Sequence, residues 1–162
     1  MNNNSNFDQE KILSMMEAAT LSLTWEPVAI FLRAPIFKKA EGEAYRGASG
    51  RLEINIIPNL DLEKFYETWL HECGHVFLGH CSEMAPRIMS PELEKNYLEG
   101  GALFELSIDQ WKFHDESDPD ELDARGFASE IDHYAQGEAM RLYGNKEVES
   151  RLRVLMNTIL KR

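Results

Sequence analysis

Apolar side chains return at Ile12, Met15, Met16, Ala19 and Leu23, the three-and-four spacing of one helix face, so residues 7 to 23 read as a helix closed by Pro27. The pattern then changes character. Val28-Ala29-Ile30-Phe31-Leu32 is a short unbroken apolar run ahead of Pro35 and reads as a strand, and Glu43-Ala44-Tyr45-Arg46, inside a polar, glycine-rich stretch, reads as a second. After the Ser49-Gly50 turn signal, Leu52, Ile54 and Ile56 alternate with Glu53, Asn55 and Ile57, a third strand that ends at Pro58. Three such strands predict a small sheet packed on helices.

The helical period resumes beyond Pro58. Asn59 or Asp61 can cap a helix whose first turn carries the acidic Asp61 and Glu63, and which runs through Phe65, Trp69 and Val76 to about Gly79. Pro86, Pro91 and Gly100-Gly101 divide the next stretch into short helices at about 91–99 and 103–111. Asp118-Pro119-Asp120-Glu121 then sets a capping Asp before a Pro at the first helical position, with Glu121 three residues after the cap. Ala124, Phe127, Ala128, Ile131 and Ala135 form the apolar face of that helix. A last helix, from about 146 to 160, buries Val148, Leu152, Leu155, Met156 and Ile159. The expected fold class is α+β, a three-stranded sheet packed on helices, in one domain spanning 1–162.

Composition narrows the function more than the fold. The 162 residues are 43% hydrophobic, enough for one real core, and no apolar run approaches the ~20 residues that span a bilayer. Met1-Asn2-Asn3-Asn4-Ser5-Asn6 is polar and lacks the charged-then-apolar order of a secretory signal, so a cytoplasmic protein with no membrane partner is expected. A net charge of -11 argues against direct binding of nucleic acid, where phosphate contacts need clustered Lys and Arg. On one helix Cys73 and Cys81 would lie about 12 Å apart, too far for a disulfide, and both read as buried free thiols.

The chemistry is concentrated in His71-Glu72-Cys73-Gly74-His75. On a helix His71 and His75, four residues apart, project from one face and can grip one zinc ion, while Glu72 beside them can deprotonate a bound water. A third protein ligand is needed. His80, five residues beyond His75, would point elsewhere on an unbroken helix. A carboxylate from the helix after Pro119 is the other route. Glu121 there completes the capping box and Asp123 flanks the apolar face, which leaves the choice open.

Three segments together resemble the ImmA/IrrE family of zinc metallo-endopeptidases: the Gly-bounded strand Gly50-Arg51-Leu52-Glu53-Ile54-Asn55-Ile56, the motif His71–His75, and Asp123-Ala124-Arg125-Gly126-Phe127-Ala128, which is similar to the family's Glu-Ala-Asn-x-Phe-Ala signature. The likeness runs over roughly 28–135 and implies a zincin-like fold with the motif on a central helix. It also implies a Zn2+ ion bound by His71, His75 and Asp123, with Glu72 as the catalytic base. Asp stands where the family has Glu, one methylene shorter, so the helix must approach more closely. Residues 84–117 would be an insertion. Peptide hydrolysis is the implied reaction and a protein, such as a DNA-binding repressor, the implied substrate, pairing along the strand 52–57 if that strand lies at a sheet edge. Tyr97, His114, His133 and Tyr134 are unranked candidates for stabilising the oxyanion. The different class of function to weigh against catalysis is a binding module that keeps the zinc fold and regulates a partner by sequestration.

Overall fold

The computed structural model describes residues 3–33, 41–47, 50–81 and 119–160. The expected helices at 91–99 and 103–111, the expected insertion at 84–117, and with them Tyr97 and His114, lie outside the described residues. Among the described residues the order is α1 (Asn3–Thr24), β1 (Val28–Leu32), β2 (Gly42–Arg46), β3 (Leu52–Ile56), α2 (Leu62–Phe77), α3 (Pro119–Tyr143) and α4 (Val148–Leu160). The class is α+β, with four helices and a three-stranded mixed sheet among the described residues. No helix among the described residues is long and apolar enough to cross a membrane.

The sheet order is β1-β3-β2, with β1 parallel and β2 antiparallel to β3. β3 is therefore internal and takes hydrogen bonds on both sides, so residues 52–57 present no edge to an extended substrate. Every β3 residue is buried. Its Leu52, Ile54 and Ile56 join Val28, Ile30 and Ala44 on the face that meets Met15, Met16 and Ala19 of α1, Trp69, Leu70 and Cys73 of α2, and Leu152 and Leu155 of α4.

The other face of the sheet is polar and still buried. Arg33 donates from Nε to Asn55 Oδ1 (2.7 Å) and from Nη2 to the Tyr45 hydroxyl (3.1 Å), and that hydroxyl donates to Glu53 Oε2 (2.7 Å). Asn55 Nδ2 reaches Glu43 Oε1 at 3.4 Å. Arg33, Tyr45, Glu53 and Asn55 thus compensate one another, which is the condition for burying them.

Two devices fix α2. Asp61 caps its start, accepting at Oδ1 from the Lys64 N–H (2.8 Å). Along its flank, the Thr20 hydroxyl of α1 accepts from Trp69 Nε1 (2.8 Å), donates to the Met16 carbonyl (2.7 Å) and lies 3.6 Å from Cys73 Sγ. Arg151 of α4, 4% exposed, ties the helices together by pairing with Glu63 of α2 and with Asp132 of α3 (3.1 Å) while its guanidinium lies 4.5 Å from the Tyr66 ring centre.

Candidate metal centre

His71 and His75 sit one turn apart on α2, and their Nε2 atoms are 3.2 Å from each other. The third group that meets them comes from the first turn of α3 and is Glu121. Its Oε2 lies 2.8 Å from His71 Nε2 and its Oε1 3.0 Å from His75 Nε2. In a tetrahedral zinc site with bonds of about 2.0–2.1 Å, neighbouring ligand atoms stand about 3.3 Å apart. The three donors already converge at nearly that spacing, and the set of two imidazoles and one carboxylate is one that zinc takes. Residues and geometry both fit a divalent transition metal.

Asp123 is not brought to the histidines, and the expectation that it completes the set is corrected here. It is exposed on α3. Two residues turn a helix by about 200°, so Asp123 and Glu121 cannot serve the same side. Glu121, 9% exposed, lies three residues before Ala124, which is fully buried, and so starts the buried stripe of α3. The longer Glu side chain spans the gap from that position.

The close approach of the two helices depends on Gly74. A Cβ there would stand 2.9 Å from the Ala124 carbonyl oxygen and 3.0 Å from Ala124 Cα. Gly74 lies between the two histidines, and Ala124 is one turn after Glu121. The contact that needs a glycine is thus adjacent to the ligands it brings together.

Glu72 faces the sheet. It is 5% exposed, the Ala44 N–H of β2 bonds its carboxylate, and Gly42 of β2 leaves room for its side chain, since a Cβ at Gly42 would meet Glu72 Cγ at 3.3 Å. The pairs Glu41–Ile57 and Gly47–Arg51 bond β2 to β3 through odd-numbered residues, so Ala44 turns its N–H to the outer edge of β2, where Glu72 meets it.

Electrostatics distinguish the two carboxylates. Burial pushes the Glu72 carboxyl up, against the pull of His75, His71 and the Ala44 N–H, and the result is above the ordinary range. Burial also acts to raise Glu121, but hydrogen bonds and charge from His71 and His75 overcome it and hold the carboxyl well below that range. For His75, burial acts to lower the pKa, while Glu121, Glu72 and Asp120 together raise it above the ordinary histidine value.

His80 does not point elsewhere, as an unbroken helix would require. The helix stops at Phe77, Gly79 adopts φ 78°, and the chain reverses: Gly79 N–H bonds the Val76 carbonyl (3.2 Å) and His80 N–H bonds the His75 carbonyl (2.9 Å). This is the Schellman closure of a helix. It folds the His80 ring back onto the His75 ring, with the two Nδ1 atoms 2.9 Å apart, and leaves His80 Nε2 3.4 Å from Asp120 Oδ1.

His133 and Tyr134 are exposed on α3, about 18 Å or more along its axis from Glu121, so neither reaches the centre. Cys73 and Cys81 are free and buried, and burial pushes both thiols up to about 12, which leaves them unreactive at neutral pH. No protein-family model matches the chain, and neither a curated protein nor a solved structure matches it.

Proposed function

We propose that the chain is a zinc-dependent endopeptidase acting on a protein substrate in the cytoplasm, with a DNA-binding repressor as the substrate class that the family resemblance implies. The observation that supports this reading is the convergence of His71, His75 and Glu121 with the Glu72 carboxyl, on the next residue of the same helix, held at the edge of the sheet. Zn2+ bound by the three ligands would supply a Lewis acid that lowers the pKa of a water and polarises a carbonyl.

Glu72 supplies the proton transfers. Its carboxylate takes a proton from the attacking water as the oxygen bonds to the carbonyl carbon. It then delivers that proton to the amine nitrogen as the C–N bond breaks. A carboxyl raised by burial suits this task, because it holds a proton more readily than an exposed one. An extended peptide laid along the outer edge of β2 would pass beside Glu72.

Two measurements test the reading together: metal content of the purified chain, and cleavage of a candidate repressor by the unaltered protein and by Glu72→Gln. The expected result is stoichiometric zinc in both, with cleavage lowered about 10²–10⁴-fold in the variant. Full regulatory function in Glu72→Gln would refute catalysis and leave sequestration of a partner as the mode of action.

A further inference from the structure

We propose that His80, backed by Asp120, is a positioning residue that holds His75 in the one tautomer able to bind a metal. The proposal rests on the metal-centre reading above and concerns what lies behind the ligands. His75 Nε2 faces Glu121 Oε1 and His71 Nε2. For that nitrogen to offer its lone pair, the ring proton has to sit on Nδ1.

The Nδ1 atom meets His80 Nδ1 at 2.9 Å, so His80 has to be the acceptor and carry its own proton on Nε2. That nitrogen is the one turned to Asp120 Oδ1, 3.4 Å away. The three groups therefore agree in direction: the Asp120 carboxylate orients His80, and His80 orients His75. The opposite assignment would put a proton on His75 Nε2, at the metal position, and turn an N–H of neither ring toward Asp120.

The fold supplies the geometry at small cost. Gly79 takes the left-handed turn that brings His80 back over the last turn of α2, and Asp120 immediately precedes Glu121 on α3. Both outer partners are thus fixed by the same elements that carry the ligands. The His80 side chain is 16% exposed, so water cannot freely take its place as acceptor. Hydrogen-bonded partners of this kind orient a ligating imidazole and raise its basicity, and losing one typically weakens metal binding about 10–100-fold.

The test compares variants of the full chain by zinc affinity, measured in competition with a chromophoric chelator, with helical content of the metal-free proteins followed by circular dichroism. His80→Leu fills the space without an acceptor and is expected to weaken zinc binding about 10–100-fold. His80→Asn restores an acceptor near the position of Nδ1 and is expected to recover most of that loss, which a packing role would not allow. Asp120→Asn is expected to weaken binding by a smaller factor, and it carries the test if His80→Leu loses its helical signal. Unchanged affinity in His80→Leu and Asp120→Asn, or a His80→Asn variant as weak as His80→Leu, would overturn the inference while leaving the metal centre intact. Failure of the unaltered protein to bind zinc would overturn both.

Discussion

Replacing Gly74 by alanine should separate the stability of the fold from the quality of the metal site. The added Cβ would lie 2.9 Å from the Ala124 carbonyl oxygen, 3.0 Å from Ala124 Cα and 3.2 Å from Ala124 Cβ. Carbon contacts are most favourable at about 3.5–4.0 Å, so α3 has to withdraw by about 0.5–1 Å, and because two of the three obstructing atoms are backbone no side-chain rotation can absorb it. Overpacking of this kind costs about 1–3 kcal/mol. Alanine in place of glycine within a helix returns about 1 kcal/mol, so the metal-free protein should lose only about 0–2 kcal/mol. The metal site is less tolerant. Glu121 moves with Ala124, and workable ligand distances vary by only about 0.2 Å. A withdrawal several times larger should weaken zinc binding by about 10-fold or more. Urea unfolding of the metal-free protein gives the first quantity and chelator competition the second. Gly137→Ala is the control, since a Cβ there meets nothing within 4 Å; it should gain up to about 1 kcal/mol and leave the affinity alone. A Gly74→Ala protein that is stabilised like Gly137→Ala and binds zinc as tightly as the unaltered chain would refute the reasoning.

Three further outcomes follow from the same geometry. Glu121→Gln should weaken zinc binding by about 100-fold or more while Asp123→Asn leaves it unchanged, and the reverse result by isothermal titration would return the third ligand to Asp123. The metal-free protein should melt at lower temperature as pH rises from 6 to 8.5. The raised His75 contributes stability that is full below its unfolded value of about 6.5 and lost as pH rises through its folded value, and the raised Glu72 acts with the same sign. Glu121, held low, contributes in full above about pH 4.3 and loses that contribution progressively as pH falls into strong acid, outside this window. Zinc-loaded protein should show the opposite slope, because the imidazoles have to be deprotonated to bind; parallel slopes in scanning calorimetry with and without chelator would count against the site. Arg151→Met should cost about 2–3 kcal/mol in urea unfolding, because Asp132 is left without its guanidinium while the more exposed Glu63 rehydrates, and a loss under about 0.5 kcal/mol would show the pairs to be incidental.

The elements were legible in the sequence where their pattern is local. The period of α1, the alternation of β3 and the Pro119 start of α3 each follow from neighbours in the chain. The arrangement of the sheet was not, because alternation reports only which residues share a face. Glu53 and Asn55 alternate with Leu52, Ile54 and Ile56 as a solvent-facing set would, yet they are buried, since Arg33, just past the end of β1, and Tyr45 of β2 complete their hydrogen bonds. No local pattern announces a partner that arrives from another strand.

The same limit explains why the sequence does not single out Glu121 as the carboxylate that meets the histidines, although a signal for it is present. The capping box offers Glu121 a sufficient local role, and it is the family resemblance that points to Asp123 instead. Yet Glu121 stands three residues before Ala124 and seven before Ala128, on the stripe that α3 turns inward, whereas Asp123 lies about 100° away from Ala124. A carboxylate on a buried stripe has to be neutralised by something it meets inside, and His71 and His75, spaced one helical turn apart, have that capacity. His80 follows the same logic. Gly79 was legible as a helix stop, but a stop through a left-handed glycine also sets where the next side chain goes, and here it goes back to His75. Gly74 and Gly79 therefore act on the site from opposite directions: one lets α3 deliver Glu121 to the front of the two histidines, and the other turns the chain so that His80 stands behind the second.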